Sequence, residues 1–163
     1  MTKLEMTLLD LLREDCRMPL EKLAVMTGAT MEEVAQAITG MEEKRIILRY
    51  APTINWDLTD TERVEAMIEV KVTPQRDRGF DAVAKRIYRF DEVKSVYLMS
   101  GGYDLLVLVQ APTLKQLALF VSEKLSTLEM VTGTATSFVL KRYKEEGVIF
   151  EDEKTDSRLV ISP

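Results

Sequence analysis

The sequence predicts an α+β fold in two parts: helices first, then a mixed sheet-and-helix unit. Two observations carry this prediction. Up to Glu43, apolar residues recur at helical spacing and are interrupted by the turn Thr27-Gly28-Ala29-Thr30. From Val64 onward the period switches to two, and the inferred elements run β-α-β-β-α-β.

The first helix is expected over Leu4–Glu14, where Leu4, Leu8, Leu11 and Leu12 form one stripe. Pro19 opens the second, since proline suits a first helical turn. Leu20, Leu23 and Ala24 share its inner face. Gly28 supplies the positive φ of a sharp turn. Thr30 caps a third helix over about residues 31–43, with Glu33 completing a capping box. Val34, Ile38 and Met41 are its inner positions. This spacing is helix-turn-helix grammar, in which the second helix of the pair is offered to a DNA major groove. Ile46-Ile47-Leu48 and Thr53-Ile54-Asn55 are expected to form a two-stranded wing, giving a winged helix-turn-helix over residues 1–57. The polar stretch Asn55–Thr61 is the expected linker.

The second part, residues 58–163, begins with a strand over Val64–Thr73 carrying Ala66, Ile68, Val70 and Val72 on one side, closed by Pro74. A helix over Asp81–Arg89 turns Phe80, Val83, Ala84 and Ile87 inward. Strands over Val93–Met99 and Tyr103–Gln110 are joined by Ser100-Gly101-Gly102. A helix over Thr113–Leu125 buries Leu114, Leu117, Ala118 and Val121, and a strand over Val131–Leu140 follows. That order is the ferredoxin-like βαββαβ arrangement. Val148–Phe150 and Leu159–Ile161 are candidate short strands flanking the acidic stretch Glu151–Asp156.

Composition narrows the function. The chain has no histidine and a single cysteine, Cys16. The usual general base and any Cys/His metal site are therefore excluded, and Cys16 reads as a plain thiol. No phosphate-binding glycine loop, dinucleotide fingerprint or nucleophile elbow is present. The chain is not expected to be an enzyme, to need a cofactor or to hold a metal. No apolar run reaches the length of a membrane span, so no membrane association is expected. With no signal-peptide core and no possible disulfide, the location reads as cytoplasmic. Net charge is −5, and residues 1–57 carry 7 Lys/Arg against 10 Asp/Glu. Acidity on that part opposes strong non-specific DNA binding, whose affinity comes from phosphate neutralisation.

A helix-turn-helix, a short linker and a βαββαβ unit holding a Ser-Gly-x-Tyr-Asp turn resemble the Lrp/AsnC (feast/famine) family of transcriptional regulators. The residues carrying the likeness are Leu23-Ala24 with Gly28, Val34, Ile38, Met41-Glu42 and Ile47 to Tyr50. Further on they are Ser100-Gly101-Gly102-Tyr103-Asp104-Leu105, Thr134-Ala135-Thr136 and Arg158-Leu159-Val160-Ile161. The resemblance implies a homodimer built through the C-terminal sheet, assembly into a higher oligomer, double-stranded DNA as partner, and a small amino-acid-like effector. The pocket it implies falls on Gly101, Gly102, Tyr103, Asp104, Thr134 and Thr136. The residues are compatible with this. Two glycines permit close backbone approach to a carboxylate, Asp104 can accept an ammonium, and the threonines offer hydroxyls. A hairpin turn and the outward side of a strand remain the alternative.

The third helix departs from the family pattern. Residues 31–43 hold no Lys or Arg and carry Glu32, Glu33, Glu42 and Glu43; Glu33 and Ala37 stand where the family tends to have Thr and Arg. Candidate DNA contacts are Thr30, Gln36 and Thr39, with Lys44, Arg45 and Arg49 as the basic cluster beside them. Glutamate can accept from cytosine N4, and glutamine can pair with adenine. Arg45 also stands where the family prefers glycine, in a turn that costs arginine roughly 1 kcal/mol or more. The competing expectation is a family member whose acidic winged helix binds a basic protein instead of DNA.

Overall fold

The computed structural model describes residues 1–73 and 79–150. The chain divides into two compact units, Met1–Ile54 and Asn55–Pro163.

The first unit holds α1 (Lys3–Glu14), α2 (Leu20–Thr27) and α3 (Met31–Glu43). Leu8, Leu23, Ala24, Val34 and Met41 form its core, with Ile38 and Ile47 packed at the margin. Leu20 lies largely outside it. Both α1 and α3 start with a complete capping box, Thr2 with Glu5 and Thr30 with Glu33. Gly28 ends α2 at φ 71°, and its N–H donates to the Ala24 carbonyl at 2.9 Å. After α3, Arg45 takes φ 57°, and the Ile46 N–H reaches back to the Met41 carbonyl at 2.8 Å. The strained turn expected at Arg45 is therefore present.

The expected wing strands are not. Residues 46–55 form no ladder. The chain is held otherwise: the Tyr50 hydroxyl donates to Glu42 at 2.8 Å, Pro52 has no N–H to give, and Asn55 caps the short turn Trp56–Leu58.

The second unit contains β1 (Val64–Val72), α4 (Gly79–Ile87), β2 (Val93–Leu98), β3 (Leu105–Ala111), α5 (Leu114–Leu119) and β4 (Val131–Phe138). The antiparallel sheet has the order β2-β3-β1-β4, so β1 lies between β3 and β4. This is the expected βαββαβ order. Ala66, Ile68, Val70 and Val72 line the buried side with Leu105, Val107 and Val109, packed with Val83 and Ile87 of α4 and Leu117 and Phe120. The apolar side of β1, Ala66 to Val72, is thus covered by the helices, and the opposite side is the open one. It carries Met67, with Tyr97 of β2 and Leu106 and Leu108 of β3 on the same side.

The helix expected over Thr113–Leu125 changes its winding. Thr113 caps α5, and from Phe120 to Leu125 the backbone continues as a π-helix. Leu117 is buried and Val121 packs against the core as expected, but Leu114 is 55% exposed and Ala118 is exposed; the wider turn brings Phe120 and Leu125 into the core in their place. Lys144–Glu145 pairs with Val148–Ile149 in a small hairpin, β5 and β6. Pro74, Arg158 and the strand expected over Leu159–Ile161 lie outside the described residues.

Candidate functional site

The candidate DNA face is built on α3. Val34 and Met41 point into the core, which leaves Glu32, Gln36, Thr39 and Glu43 exposed along the opposite side. Their spacing of three and four residues makes one row. Thr30 lies at the N-cap. Its hydroxyl accepts from the Glu33 N–H at 3.2 Å, and the Glu33 carboxylate accepts from the Thr30 N–H at 2.8 Å. That backbone hydrogen bond, followed by one from the Thr30 hydroxyl, holds Glu33 below the usual carboxylate range. Glu42 accepts the Tyr50 hydroxyl; partial burial and then this contact push Tyr50 up to about 12. Two of the four glutamates on α3 are therefore held by residues off the exposed row. Glu32 instead accepts from the Gln36 amide at 3.5 Å, across one helical turn.

Lys44, Arg45 and Arg49 are all exposed beyond the end of α3. Lys44 also lies 3.9 Å from Glu5 of α1. At this distance, with the lysine largely in solvent, such a pair contributes little to stability.

The candidate effector residues occupy one end of the second unit's sheet. Gly101, Gly102 and Tyr103 lie in the β2–β3 connection, and Asp104 closes it. Neither glycine has positive φ, and a Cβ built on either would meet nothing within 4 Å. The turn itself does not require glycine; the space above it is open. Asp104 is occupied more fully than its sequence context suggested. Its Oδ2 accepts from the Val72 N–H at 2.8 Å, its N–H donates to the Val70 carbonyl, and its carbonyl accepts from Met99. The carboxylate satisfies a backbone donor where the β1–β4 register shifts between Lys71 and Val72.

Thr134 and Thr136 face Val70 and Ile68 across the β1–β4 ladder, so both point to the helix-bearing side of the sheet. Thr134 is half-buried and Thr136 exposed. The loop and Thr134 lie at the same end of the sheet, with β1 between them. Sequence reading missed Ser126, where the π-helix ends; its hydroxyl is 3.5 Å from that of Thr134. No periodicity could reveal it, because the π-turn that brings it there breaks the period. Among the described residues, no group of three or more His, Cys, Asp or Glu could hold a metal ion.

A family model described as the Lrp/AsnC ligand binding domain matches residues 65–149. The chain belongs to the Lrp/AsnC family. It is 48% identical to the "Uncharacterized HTH-type transcriptional regulator YugG" of Bacillus subtilis (strain 168), covering 100% of this chain and 99% of that one. It is 25% identical to the HTH-type transcriptional regulator FL11 of Pyrococcus furiosus, over 85% of this chain and 88% of the relative. The fold is shared with solved family structures. The leucine response regulatory protein of Mycobacterium tuberculosis superposes with a TM-score of 0.75 at 19% identity, covering 93% of this chain and 100% of that one. A transcriptional regulator of Neisseria meningitidis, solved as a complex with L-Met, gives 0.71 at 21% identity, covering 89% and 93%. The relatives are named as transcriptional regulators, not enzymes. Among the described residues no helix is long and apolar enough to cross a membrane.

Proposed function

We propose that this chain is a cytoplasmic, homodimeric DNA-binding regulator of transcription, controlled by a small amino-acid-like effector bound at its second unit. Met1–Ile54 serves as a winged helix-turn-helix lacking a wing ladder, and Asn55–Pro163 as the effector and assembly domain. The observation that carries this reading is the match to the family's ligand binding domain over residues 65–149 behind a three-helix unit whose α3 is capped and exposed. Thr30, Gln36 and Thr39 approach the bases, while Lys44, Arg45 and Arg49 meet phosphates. The open surface over Gly101 and Gly102 leaves room for an effector carboxylate. Thr134 and Thr136 contribute hydroxyls, and Tyr103 borders the loop. Asp104 can offer an ammonium only the lone pairs left after the Val72 N–H is satisfied. The side of the sheet bearing Met67, Tyr97, Leu106 and Leu108 is the dimer face, Met67 and Tyr97 being about half exposed in the single chain.

Two measurements test the reading. Gel-shift titration of genomic fragments at two salt concentrations should show binding that weakens as salt rises. Calorimetric titration with the twenty amino acids should find at least one ligand. If no duplex binds, the DNA-binding reading fails; if no amino acid binds, the effector reading fails. A second reading, an α3 surface for a basic protein partner, is favoured by its lack of any Lys or Arg and by exposed Val25, Met26 and Met31 nearby. It replaces the first if no duplex binds at low salt.

A further inference from the structure

The row on α3 that would face a groove contains no cation, so its chemistry must differ from the commonest mode of base reading, in which Arg or Lys pairs with guanine. The structure narrows which side chains remain to do it. Glu33 is folded back onto the Thr30 cap, and Glu42 holds the Tyr50 hydroxyl. Glu32 and Gln36 stay on the exposed row, linked through the Gln36 amide and the Glu32 carboxylate. At 3.5 Å the contact is at the outer limit of a hydrogen bond, so both exposed side chains are free to turn toward a groove. An ionised glutamate has only acceptor lone pairs. The Gln36 amide carries an N–H donor and a carbonyl acceptor that it can present together.

In the major groove, cytosine presents an exocyclic amine with no acceptor beside it, whereas adenine sets its amine next to the N7 acceptor. A carboxylate is matched by the first and partly repelled by the second. A glutamine amide, donor and acceptor side by side, matches the adenine N6/N7 edge. We propose that Glu32 reads cytosine and Gln36 reads adenine in the operator. The inference rests on the DNA-binding reading above. At a rise of about 1.5 Å per residue the two side chains are about 6 Å apart along the helix, or about two base-pair steps. Acidity on α3 then acts as a filter. It weakens binding to every duplex through repulsion, and the loss is recovered only where the base-edge amines are correctly placed.

The test is selection from a random duplex pool by the full-length protein at one fixed low salt concentration. Affinities of the wild type, Glu32→Ala, Glu32→Gln and Gln36→Ala are then measured on the selected and a scrambled duplex. The wild type should enrich a C·G pair and an A·T pair about two steps apart. Glu32→Ala should bind the scrambled duplex as tightly as wild type or more so, because a repelling charge is gone. Its preference for the selected duplex should fall by about five-fold to 150-fold, the discrimination of one good base contact. Glu32→Gln, an exposed near-isostere that preserves folding, should move the preference at that position from cytosine toward adenine. Gln36→Ala should relax only the adenine position. If Glu32→Ala strengthens binding to both duplexes equally, Glu32 merely repels and the assignment is overturned. Enriched sites lacking the C and A overturn it too, while leaving DNA binding intact. If the wild type enriches no duplex, the DNA-binding reading itself falls, and this inference with it.

Discussion

The two units of the chain are fastened by different kinds of contact. In Met1–Ile54 the identifying hydrogen bonds span three or four residues: Thr2 with Glu5, Thr30 with Glu33, Gly28 with Ala24. In the sheet unit they span tens of residues. Asp104 reaches Val72 across 32 positions, Gln110 reaches Glu65 across 45, and Arg142 reaches Glu65 across 77. Local bonds can be written into a short stretch of sequence and read back from it. Long-range bonds depend on a register that only the whole sheet defines. The same difference separates the two candidate sites: α3 is a local object, whereas the effector loop is made by where β1 ends.

The largest effect that would sharpen this contrast lies in β1. Ile68 is fully buried in the strand that is paired on both sides. Ile68→Ala should destabilise the sheet unit by about 2–5 kcal/mol, through lost transfer energy and the cavity left behind. The chain's single tryptophan, Trp56, is stacked under Arg63 at 3.9 Å in that unit and reports on it. In urea, Trp56 fluorescence should shift its midpoint strongly, while the helical signal of α1–α3 keeps its own transition. Equal movement of both transitions would break the contrast.

Asp104 comes next, and it separates structure from ligand binding. Asp104→Ala leaves the half-buried Val72 N–H without its acceptor, a loss of about 1–3 kcal/mol. Asp104→Asn retains a carbonyl oxygen for that N–H and removes the charge. The alanine variant should lower the urea midpoint, and the asparagine variant should restore most of it. If the carboxylate also holds an effector's ammonium, Asp104→Asn should weaken an identified amino-acid ligand by roughly ten-fold or more in calorimetry. Unchanged stability in Asp104→Ala would refute the β1 role.

Local determinants explain why much of the fold was legible. The Gly28 turn, the Thr30–Glu33 box, the two-residue period of β1 and the βαββαβ order each follow from residues within a few positions of one another. What was not legible came from further away. Pro52 and the Tyr50–Glu42 bond replace a wing that the apolar triplets alone suggested. The π-turn at Phe120–Leu125 redistributes the inward face of a helix whose periodicity had looked regular. Asp104 looked like a free carboxylate because its partner, Val72, belongs to another strand. For the same reason, Thr30→Ala should be a modest local lesion. Losing one cap costs about 1 kcal/mol. It should fray α3 as seen by hydrogen exchange of the 31–34 amides, and leave the Trp56 transition unmoved.

The smallest expected effect is set by pH. Glu5 and Glu33 both lie below 4.5, each first because it accepts from the backbone N–H of its N-cap residue. A carboxylate whose folded value is lowered stabilises the folded state above its unfolded value, and that contribution is lost as pH falls through the folded value. The helical unit should therefore weaken progressively as pH drops below about 4.5, the unperturbed value for both groups. Glu92, lowered first by its hydrogen bond from Lys124, gives the sheet unit one such group of its own. Glu33 is exposed and Glu5 half-buried in the first turn of α1 at the surface, so solvent keeps the effect small. The decisive comparison is the double variant Glu5→Gln, Glu33→Gln, in which amides can still accept but no longer titrate. Its helical transition should depend less on pH below 4.5 than that of the wild type, and the Trp56 transition should keep its full dependence. If the helical transition keeps its wild-type slope, the two capping boxes do not set the acid sensitivity of this unit, and the contrast between local and long-range fastening does not extend to its electrostatics.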